Sequence, residues 1–163
     1  MGLSLPAKEN IRDLNLITQL APFTLRNASD SDYDFIYDAA RTTMHDYVAR
    51  IWGWDEEFQS KRFRELFITE DWQIILVDGI YAGCMNVVYR PSEIFLANIY
   101  VLPRFQRHGI GSSLIRKLQY EGSKSDRPVR LNVLTSNDDA FRLYIRLGFR
   151  IVESTPEKRL MST

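Results

Sequence analysis

The sequence has few features that would tie it to a membrane, an oxidising compartment or a nucleic acid. It contains one cysteine, Cys84, which cannot form an internal disulfide and is typical of a reducing compartment. No apolar run approaches the roughly 20 residues that span a bilayer, and the N-terminus lacks the basic and apolar regions of a secretory signal. Basic and acidic residues both number 21, so no excess charge indicates a nucleic-acid or membrane partner. We therefore expect a cytoplasmic protein.

The composition that is present is typical of one globular domain. The 163 residues are 45% hydrophobic and 12% aromatic, which is enough to bury a core. Residues 1–22 are loosely patterned and are predicted to form an N-terminal extension, so the domain is expected to comprise residues 23–163. No metal ion is expected.

The spacing of apolar residues predicts an α/β (α+β) fold. In order, it indicates one strand, two helices, three strands, a helix, a strand, a helix and two strands. Asp78-Gly79 separates the second and third strands and is a strong signal for a type I′ hairpin. Gly53 is expected to end the first helix, between two tryptophans. A mixed sheet flanked by helices follows from this order.

The most informative segment is a basic, glycine-containing loop between a strand and a helix. The strand ends at Val101, and Pro-Arg-Phe-Gln-Arg-His-Gly-Ile-Gly-Ser runs from position 103 to Ser112. Glycine lets a backbone approach a phosphate closely, and the N–H groups at a helix N-terminus favour an anion. The pattern predicts a diphosphate ligand. It lacks the lysine of a P-loop, and Leu114 stands where the dinucleotide fingerprint needs a third glycine. Taken alone, Gly-x-Gly is also compatible with close packing of a helix on a strand.

Two spaced motifs resemble those of the GNAT N-acetyltransferase superfamily. The first is Gln106-x-x-Gly109-x-Gly111, similar to the family's pyrophosphate loop, and the second is Asn137-x-x-Ala140-x-x-x-Tyr144-x-x-x-Gly148-Phe149. The resemblance covers about residues 23–161. It implies the acyl-CoA N-acyltransferase fold: a mixed, mostly antiparallel sheet of about six to seven strands, flanked by about four helices. The two central strands are expected to splay apart in a V that receives acetyl-CoA.

The resemblance also implies which residues hold acetyl-CoA. The strand before the loop would pair its backbone with the pantetheine arm, the loop would hold the pyrophosphate, and the start of the later helix would contact the arm. The expected donor-site residues are Ile99, Tyr100, Val101, Gln106, Arg107, His108, Gly109, Ile110, Gly111, Ser112, Asn137, Ala140 and Phe141.

Tyr144 is the expected catalytic residue. The family places a tyrosine here to donate a proton to the coenzyme A sulfur, and Tyr144 lies two helical turns after Asn137, on the same face. The other interpretation is a core aromatic that packs near Phe149. No general base is evident, because Asn98 stands where the family often carries an acid; Glu93, earlier on that strand, is a candidate that would act through a water.

The acceptor is expected to bind near the first two helices, which set specificity in the family. An aromatic and acidic segment at their junction suits a cationic amine. The expected acceptor residues are Tyr47, Trp52, Trp54, Glu56 and Asn98. The alternative is that the tryptophans only fasten the two helices to the sheet.

Together these features predict an acetyl-CoA-dependent N-acetyltransferase. The acetyl group would pass directly to a primary amine, on a small molecule or a peptide, within a ternary complex. Another acyl donor or an alcohol acceptor stays open, as does a homodimer. The alternative from another class is a CoA-binding regulatory or interaction module without efficient turnover.

Overall fold

The computed structural model describes residues 22–163, which form seven strands and four α-helices. The extension predicted for residues 1–22 lies outside the described residues except for Pro22. The strands are β1 (Phe23–Asn27), β2 (Trp72–Val77), β3 (Ile80–Tyr89), β4 (Ile94–Val101), β5 (Val129–Leu134), β6 (Arg150–Ser154) and β7 (Lys158–Ser162). The helices are α1 (Tyr33–Trp52), α2 (Glu56–Thr69), α3 (Ile110–Ser125) and α4 (Asp138–Arg146).

The strands of this part of the chain form one sheet in the order β1-β2-β3-β4-β5-β7-β6. Neighbouring strands are antiparallel except β4 and β5, which are parallel. This arrangement confirms the predicted mixed, mostly antiparallel sheet and the predicted order of elements.

The sheet opens between β4 and β5. These strands pair only where Ile94–Leu96 meet Val129–Leu131, whereas β3 and β4 pair from Gly83 to Tyr89. The β3–β4 register shifts between Asn86 and Val87, leaving Ala97 as an extra residue in β4. Such a bulge bends its strand. Beyond Leu96, β4 therefore remains paired with β3, and β5 remains paired with β7. A V-shaped gap separates β4 from β5.

Helices cover both faces of the sheet, and the two-residue period of β4 sends its side chains to opposite sides. Ile99 and Val101 pack with the core formed by α3, α4 and the sheet. Tyr100 packs with the core formed by α1, α2 and the sheet. Cys84 is free and fully buried in this second core, where burial raises the pKa of its thiol, as expected for a structural cysteine.

Local chemistry fixes the ends of several elements. Asp78 and Gly79 both have positive φ, 50° and 76°, and join β2 to β3 in the predicted hairpin. Gly53, at φ 78°, ends α1, and the Asp55 carboxylate then accepts the Phe58 N–H at 2.8 Å to cap α2. Within residues 22–163, no helix is long and apolar enough to cross a membrane.

Candidate active site

Two cavities open into the gap between β4 and β5. The larger, of about 800 Å³, lies between α1, α2 and the diverging ends of β4 and β5. The smaller, of about 600 Å³, lies between the loop after β4, the start of α3, and α4. Both cavities are lined by Met44, Ile99, Asn137, Ala140 and Tyr144. They therefore meet at the split in the sheet.

The glycine-containing loop presents backbone donors to the smaller cavity. Gly109, at φ 82°, precedes α3 in a left-handed conformation that favours glycine. The first α3 hydrogen bond runs from the Ser113 N–H to the Gly109 carbonyl at 2.9 Å, so the N–H groups just before it have no helical acceptor. A Cβ placed on Gly111 would have no atom within 4 Å. Free donors and open space at a helix N-terminus fit a diphosphate.

Basic side chains surround these donors. Arg107, Arg142 and Arg146 line the smaller cavity, and Asp139, which also lines it, forms an ion pair with Arg142. The two α4 arginines were not among the predicted residues. Their own spacing was the available signal, because Arg146 lies four residues after Arg142 and side chains four apart share a helix face.

Most of the predicted donor-site residues line the smaller cavity. They are Ile99, Val101, Gln106, Arg107, Gly109, Ile110, Gly111, Ser112, Asn137 and Ala140. Tyr100 lines the larger cavity instead, and neither lining includes His108 or Phe141. Phe141 packs against the core of the α3 and α4 face, with the Arg159 guanidinium 4.4 Å from its ring centre.

Gln106 and Asn137 each form a hydrogen bond that shapes the site. The Gln106 amide donates to the Val101 carbonyl at 2.8 Å and closes the loop on the end of β4. The Asn137 side-chain oxygen accepts the Ala140 N–H at 3.1 Å and caps α4. The Asn137 amide nitrogen has no hydrogen-bond partner among residues 22–163.

Tyr144 lies both in the core and at the junction of the two cavities. Its ring lies 5.9 Å from that of Phe149 and is 8% exposed, so it packs in the core. It also lines both cavities, and no described residue forms a hydrogen bond with its hydroxyl. Burial raises the pKa of Tyr144 to about 12, which keeps the phenol protonated at neutral pH.

The predicted acceptor residues are divided between the cavities. Trp52, Trp54 and Asn98 line the larger cavity, and Tyr47 lines the smaller one. Glu56 is absent from both linings. Its carboxylate accepts the Trp54 indole N–H and the Tyr37 hydroxyl, each at 2.7 Å, and these hydrogen bonds lower its pKa.

A row of polar side chains, unforeseen from the sequence, leads away from the larger cavity. The Tyr100 hydroxyl donates to Asn98 at 2.6 Å, Asn98 donates to Asn86 at 2.8 Å, and Asn86 donates to Glu70 at 2.8 Å. Burial raises the pKa of Glu70, and the Asn86 hydrogen bond opposes that effect. We call these four residues the Glu70 chain.

Glu93, the carboxylate considered as a base, lies apart from both cavities. It pairs with Arg90 and, at 3.5 Å, with Arg130 near the closed end of the split. Among residues 22–163, no group of three or more His, Cys, Asp or Glu side chains could hold a metal ion.

Solved structures of acetyltransferases share this fold. The PaiA N-acetyltransferase of Thermoplasma acidophilum, in complex with coenzyme A, matches with a TM-score of 0.68 at 19% identity, over 87% of this chain and 98% of that one. Arabidopsis thaliana Naa50, in complex with the bisubstrate analogue CoA-Ac-MVNAL, matches with a TM-score of 0.62 at 15% identity, over 86% and 97%. A GNAT acetyltransferase of Elizabethkingia anophelis with acetyl-CoA bound gives 0.60 at 14% identity, over 86% and 97%.

The sequence itself matches the family model of the acetyltransferase (GNAT) domain over residues 63–151. None of the curated proteins matches the chain. The matched segment includes the split strand β4, the glycine loop and Tyr144, and it exceeds half of the 163 residues. The chain therefore belongs to the GNAT family of acetyltransferases, enzymes of the N-acetyltransferase type.

Proposed function

We propose that the protein transfers an acetyl group from acetyl-CoA directly to a primary amine in a ternary complex. One observation carries this proposal: two cavities enter the split sheet from different sides and meet at Ile99 and Tyr144. A donor in the smaller cavity and an acceptor in the larger one would therefore meet without a covalent enzyme intermediate.

The smaller cavity fits acetyl-CoA. The N–H groups at the start of α3 and the arginines at 107, 142 and 146 suit its phosphates. The edge of β4 beyond Leu96 has no partner on the β5 side, so its backbone is available to the pantetheine arm. Solved GNAT structures with coenzyme A or acetyl-CoA bound support the same donor.

The chemistry requires a proton acceptor near the amine and a hydrogen-bond donor near the sulfur. Bound acetyl-CoA supplies a thioester; the C–N bond forms and the C–S bond breaks, while the nitrogen loses a proton and the thiolate gains one. A backbone N–H of β4 near Ile99 would stabilise charge on the carbonyl oxygen. Tyr144, which lines both cavities, would donate a hydrogen bond to the sulfur.

The pKa of Tyr144 defines what this residue does. With a pKa of about 12, Tyr144 remains a donor at neutral pH. A free thiol has a pKa of about 8.5, so full transfer of the phenol proton to the thiolate is uphill by roughly 5 kcal/mol. Tyr144 therefore stabilises the leaving thiolate through an O–H···S hydrogen bond, and solvent or the acceptor nitrogen supplies the proton in the end.

The larger cavity supplies an acceptor wall of mixed character. Trp52 and Trp54 contribute aromatic surface, and Asn98 a polar edge. Arg41, Arg62, Glu157 and Lys158 contribute charge of both signs. A small-molecule amine or a peptide fits this description, and a peptide analogue is bound in the solved Naa50 structure.

Turnover against a panel of amines tests the proposal. The panel contains a peptide with a free N-terminus, Nα-acetyl-lysine, spermidine and kanamycin, with release of the coenzyme A thiol as the readout. We expect amine-dependent release with at least one of them. Thermal stabilisation by acetyl-CoA without turnover on any amine would instead favour a CoA-binding regulatory or interaction module. A cytoplasmic location is part of the proposal, supported by the free, buried Cys84.

A further inference from the structure

We propose that the Glu70 chain fixes the Tyr100 hydroxyl as a hydrogen-bond acceptor for the N–H of the acceptor amine, with Glu70 as a positioning residue that never touches the substrate. This inference rests on the proposed function, because it identifies a group that recognises the amine in the larger cavity. Its evidence is the direction of three consecutive hydrogen bonds and the place of Tyr100, the last residue of the chain, in the lining of the larger cavity.

The direction of the chain follows from the chemistry of a carboxylate. An ionised Glu70 carboxylate can only accept hydrogen bonds, so Asn86 must turn its NH₂ group toward Glu70. The Asn86 oxygen then faces Asn98, which must present its own NH₂ group at 2.8 Å. The Asn98 oxygen is left for Tyr100, whose hydroxyl must donate at 2.6 Å. Each amide has only one orientation that satisfies its neighbours.

The geometry of the sheet holds this sequence of bonds in place. Asn86 and Asn98 are directly paired residues on β3 and β4, next to the bulge at Ala97. Asn86 is 1% exposed, so losing either of its partners would leave a buried amide unsatisfied. Glu70 follows α2, and Tyr100 stacks near Trp72, with ring centres 6.1 Å apart.

The Tyr100 oxygen is consequently left with unused acceptor capacity. Its proton points toward Asn98, and no described residue donates a hydrogen bond to it. Tyr100 and Asn98 both line the larger cavity, and Ile99 between them lines both cavities. Arg62 lines the same cavity, but no hydrogen bond joins it to Tyr100. Tyr100, with this unused acceptor capacity, therefore lines the space assigned to the amine and is adjacent to Ile99 at the junction.

An acceptor at this position has a clear use. A neutral amine attacks through its lone pair, so its N–H groups must point elsewhere and need acceptors. A tyrosine free to rotate could offer its proton to the lone pair and block attack. Burial holds the pKa of Tyr100 well above its usual value, so Tyr100 is not a base. It orients the amine instead.

A double-mutant cycle separates this role from a structural one. The probe is the amine of the four-member panel with the highest turnover. Tyr100→Phe keeps the ring and should raise the KM for that amine about 3- to 10-fold, with the KM for acetyl-CoA unchanged. Glu70→Gln keeps the size but allows either amide orientation, and should raise the same KM about 2- to 5-fold. In the double variant, the KM should not exceed that of Tyr100→Phe, because Glu70 acts only through Tyr100.

Asp71→Asn is the matched control, since it removes one exposed negative charge from the adjacent position. We expect its KM values to equal those of the wild type. Effects of Glu70→Gln and Tyr100→Phe that multiply in the double variant, or an amine KM that neither substitution changes, would overturn this inference alone. Lack of turnover by the wild type on every panel amine would overturn the proposed function, and this inference with it.

Discussion

The indole N–H of Trp54 donates to the carboxylate of Glu56 at 2.7 Å, across the turn that joins α1 to α2. The same carboxylate accepts the Tyr37 hydroxyl from α1 at 2.7 Å. Trp54 and Tyr37 line the larger cavity, and Glu56 does not. Glu56 therefore fixes the positions of two lining residues through hydrogen bonds without lining the cavity itself.

This arrangement predicts an indirect effect of Glu56 on the acceptor. Glu56→Ala removes the acceptor of both hydrogen bonds, and we expect the KM for the amine to rise about 3- to 10-fold, because exposed hydrogen bonds and aromatic contacts are each worth roughly 1 kcal/mol. Trp54→Ala should raise it by a similar factor. The KM for acetyl-CoA should stay the same, since neither Trp54 nor Glu56 lines the smaller cavity. Steady-state kinetics with each substrate varied in turn measures both values.

Glu57→Gln provides the control, because Glu57 is the exposed neighbour of Glu56 in the first turn of α2 and lines neither cavity. It should behave as the wild type. If Glu56→Ala and Trp54→Ala instead lower thermal stability and acetyl-CoA binding together, the junction only fastens the two helices to the sheet.

Features encoded over short stretches of sequence could be predicted. The hairpin at Asp78-Gly79, the order of strands and helices, and the loop that enters α3 at Gly109 each depend on a few neighbouring residues. Two motifs at the right distance then identified the fold. The splay itself is visible in the sequence only through this resemblance, because it depends on the three-residue contact between β4 and β5.

The Glu70 chain could not be predicted, since it depends on long-range register. Asn86 meets Asn98 only because β3 and β4 pair in that register up to the bulge at Ala97, and Glu70 reaches Asn86 from a different element. The side of the sheet on which the Tyr100 side chain lies could have been predicted. Alternation along β4 places that side chain opposite those of Ile99 and Val101.

Gly111 gives a direct test of the donor site. A side chain here meets open space, and its φ is not in the left-handed region, so Gly111→Asp should fold with little change in Tm without ligand. Acid residues near a helix N-terminus are even favourable. The new carboxylate would occupy the phosphate position, and we expect the Kd for acetyl-CoA to rise at least about 10-fold. Isothermal calorimetry measures the Kd, and thermal shift checks folding.

Gly111→Asn separates charge from size, because its amide has nearly the same shape as the carboxylate. Its Kd for acetyl-CoA should lie between those of the wild type and Gly111→Asp. Wild-type affinity in the aspartate variant would place the diphosphate elsewhere.

Tyr144→Phe tests the hydrogen bond to the leaving sulfur. The substitution keeps the packing on Phe149 and removes only the hydroxyl, so kcat should fall about 10-fold or more while acetyl-CoA affinity changes less than about twofold.

Because the pKa of Tyr144 is about 12, its proton is retained across the usual assay range, and kcat of the wild type should show no loss from this group below about pH 10. Tyr120→Phe, an exposed tyrosine on α3, is the control and should keep the wild-type kcat. An equal kcat in Tyr144→Phe would leave Tyr144 with packing alone.

Asp32 predicts how the stability of the folded protein depends on pH. Its side chain is 3% exposed. The carboxylate accepts hydrogen bonds from two Arg26 guanidinium nitrogens at 2.8 Å, from the Ser29 N–H at 2.8 Å and from the Tyr81 hydroxyl at 3.1 Å. These hydrogen bonds connect β1 and β3 to the start of α1. The Arg26 hydrogen bonds hold the pKa of Asp32 well below its usual range. The unfolded chain therefore binds a proton at higher pH than the folded chain does. The stability that ionised Asp32 contributes to the fold is complete well above the pKa of about 3.9 that an aspartate has in the unfolded chain. It decreases as the pH falls below that value toward the lower pKa of the folded state.

Asp32→Asn should lower the free energy of unfolding at pH 7 by about 2–3 kcal/mol, at the lower end for a buried pair because Arg26 is partly exposed. The deficit relative to the wild type should shrink as the pH falls from about 5 to 3, since the unfolded wild-type chain then binds a proton at Asp32 that the folded chain does not bind. Urea unfolding at several pH values measures this difference. Asp30→Asn, an exposed neighbour, should change stability by less than about 0.5 kcal/mol. A deficit that stays constant down to pH 3 would mean that Asp32 stabilises the start of α1 by its shape and not by its charge.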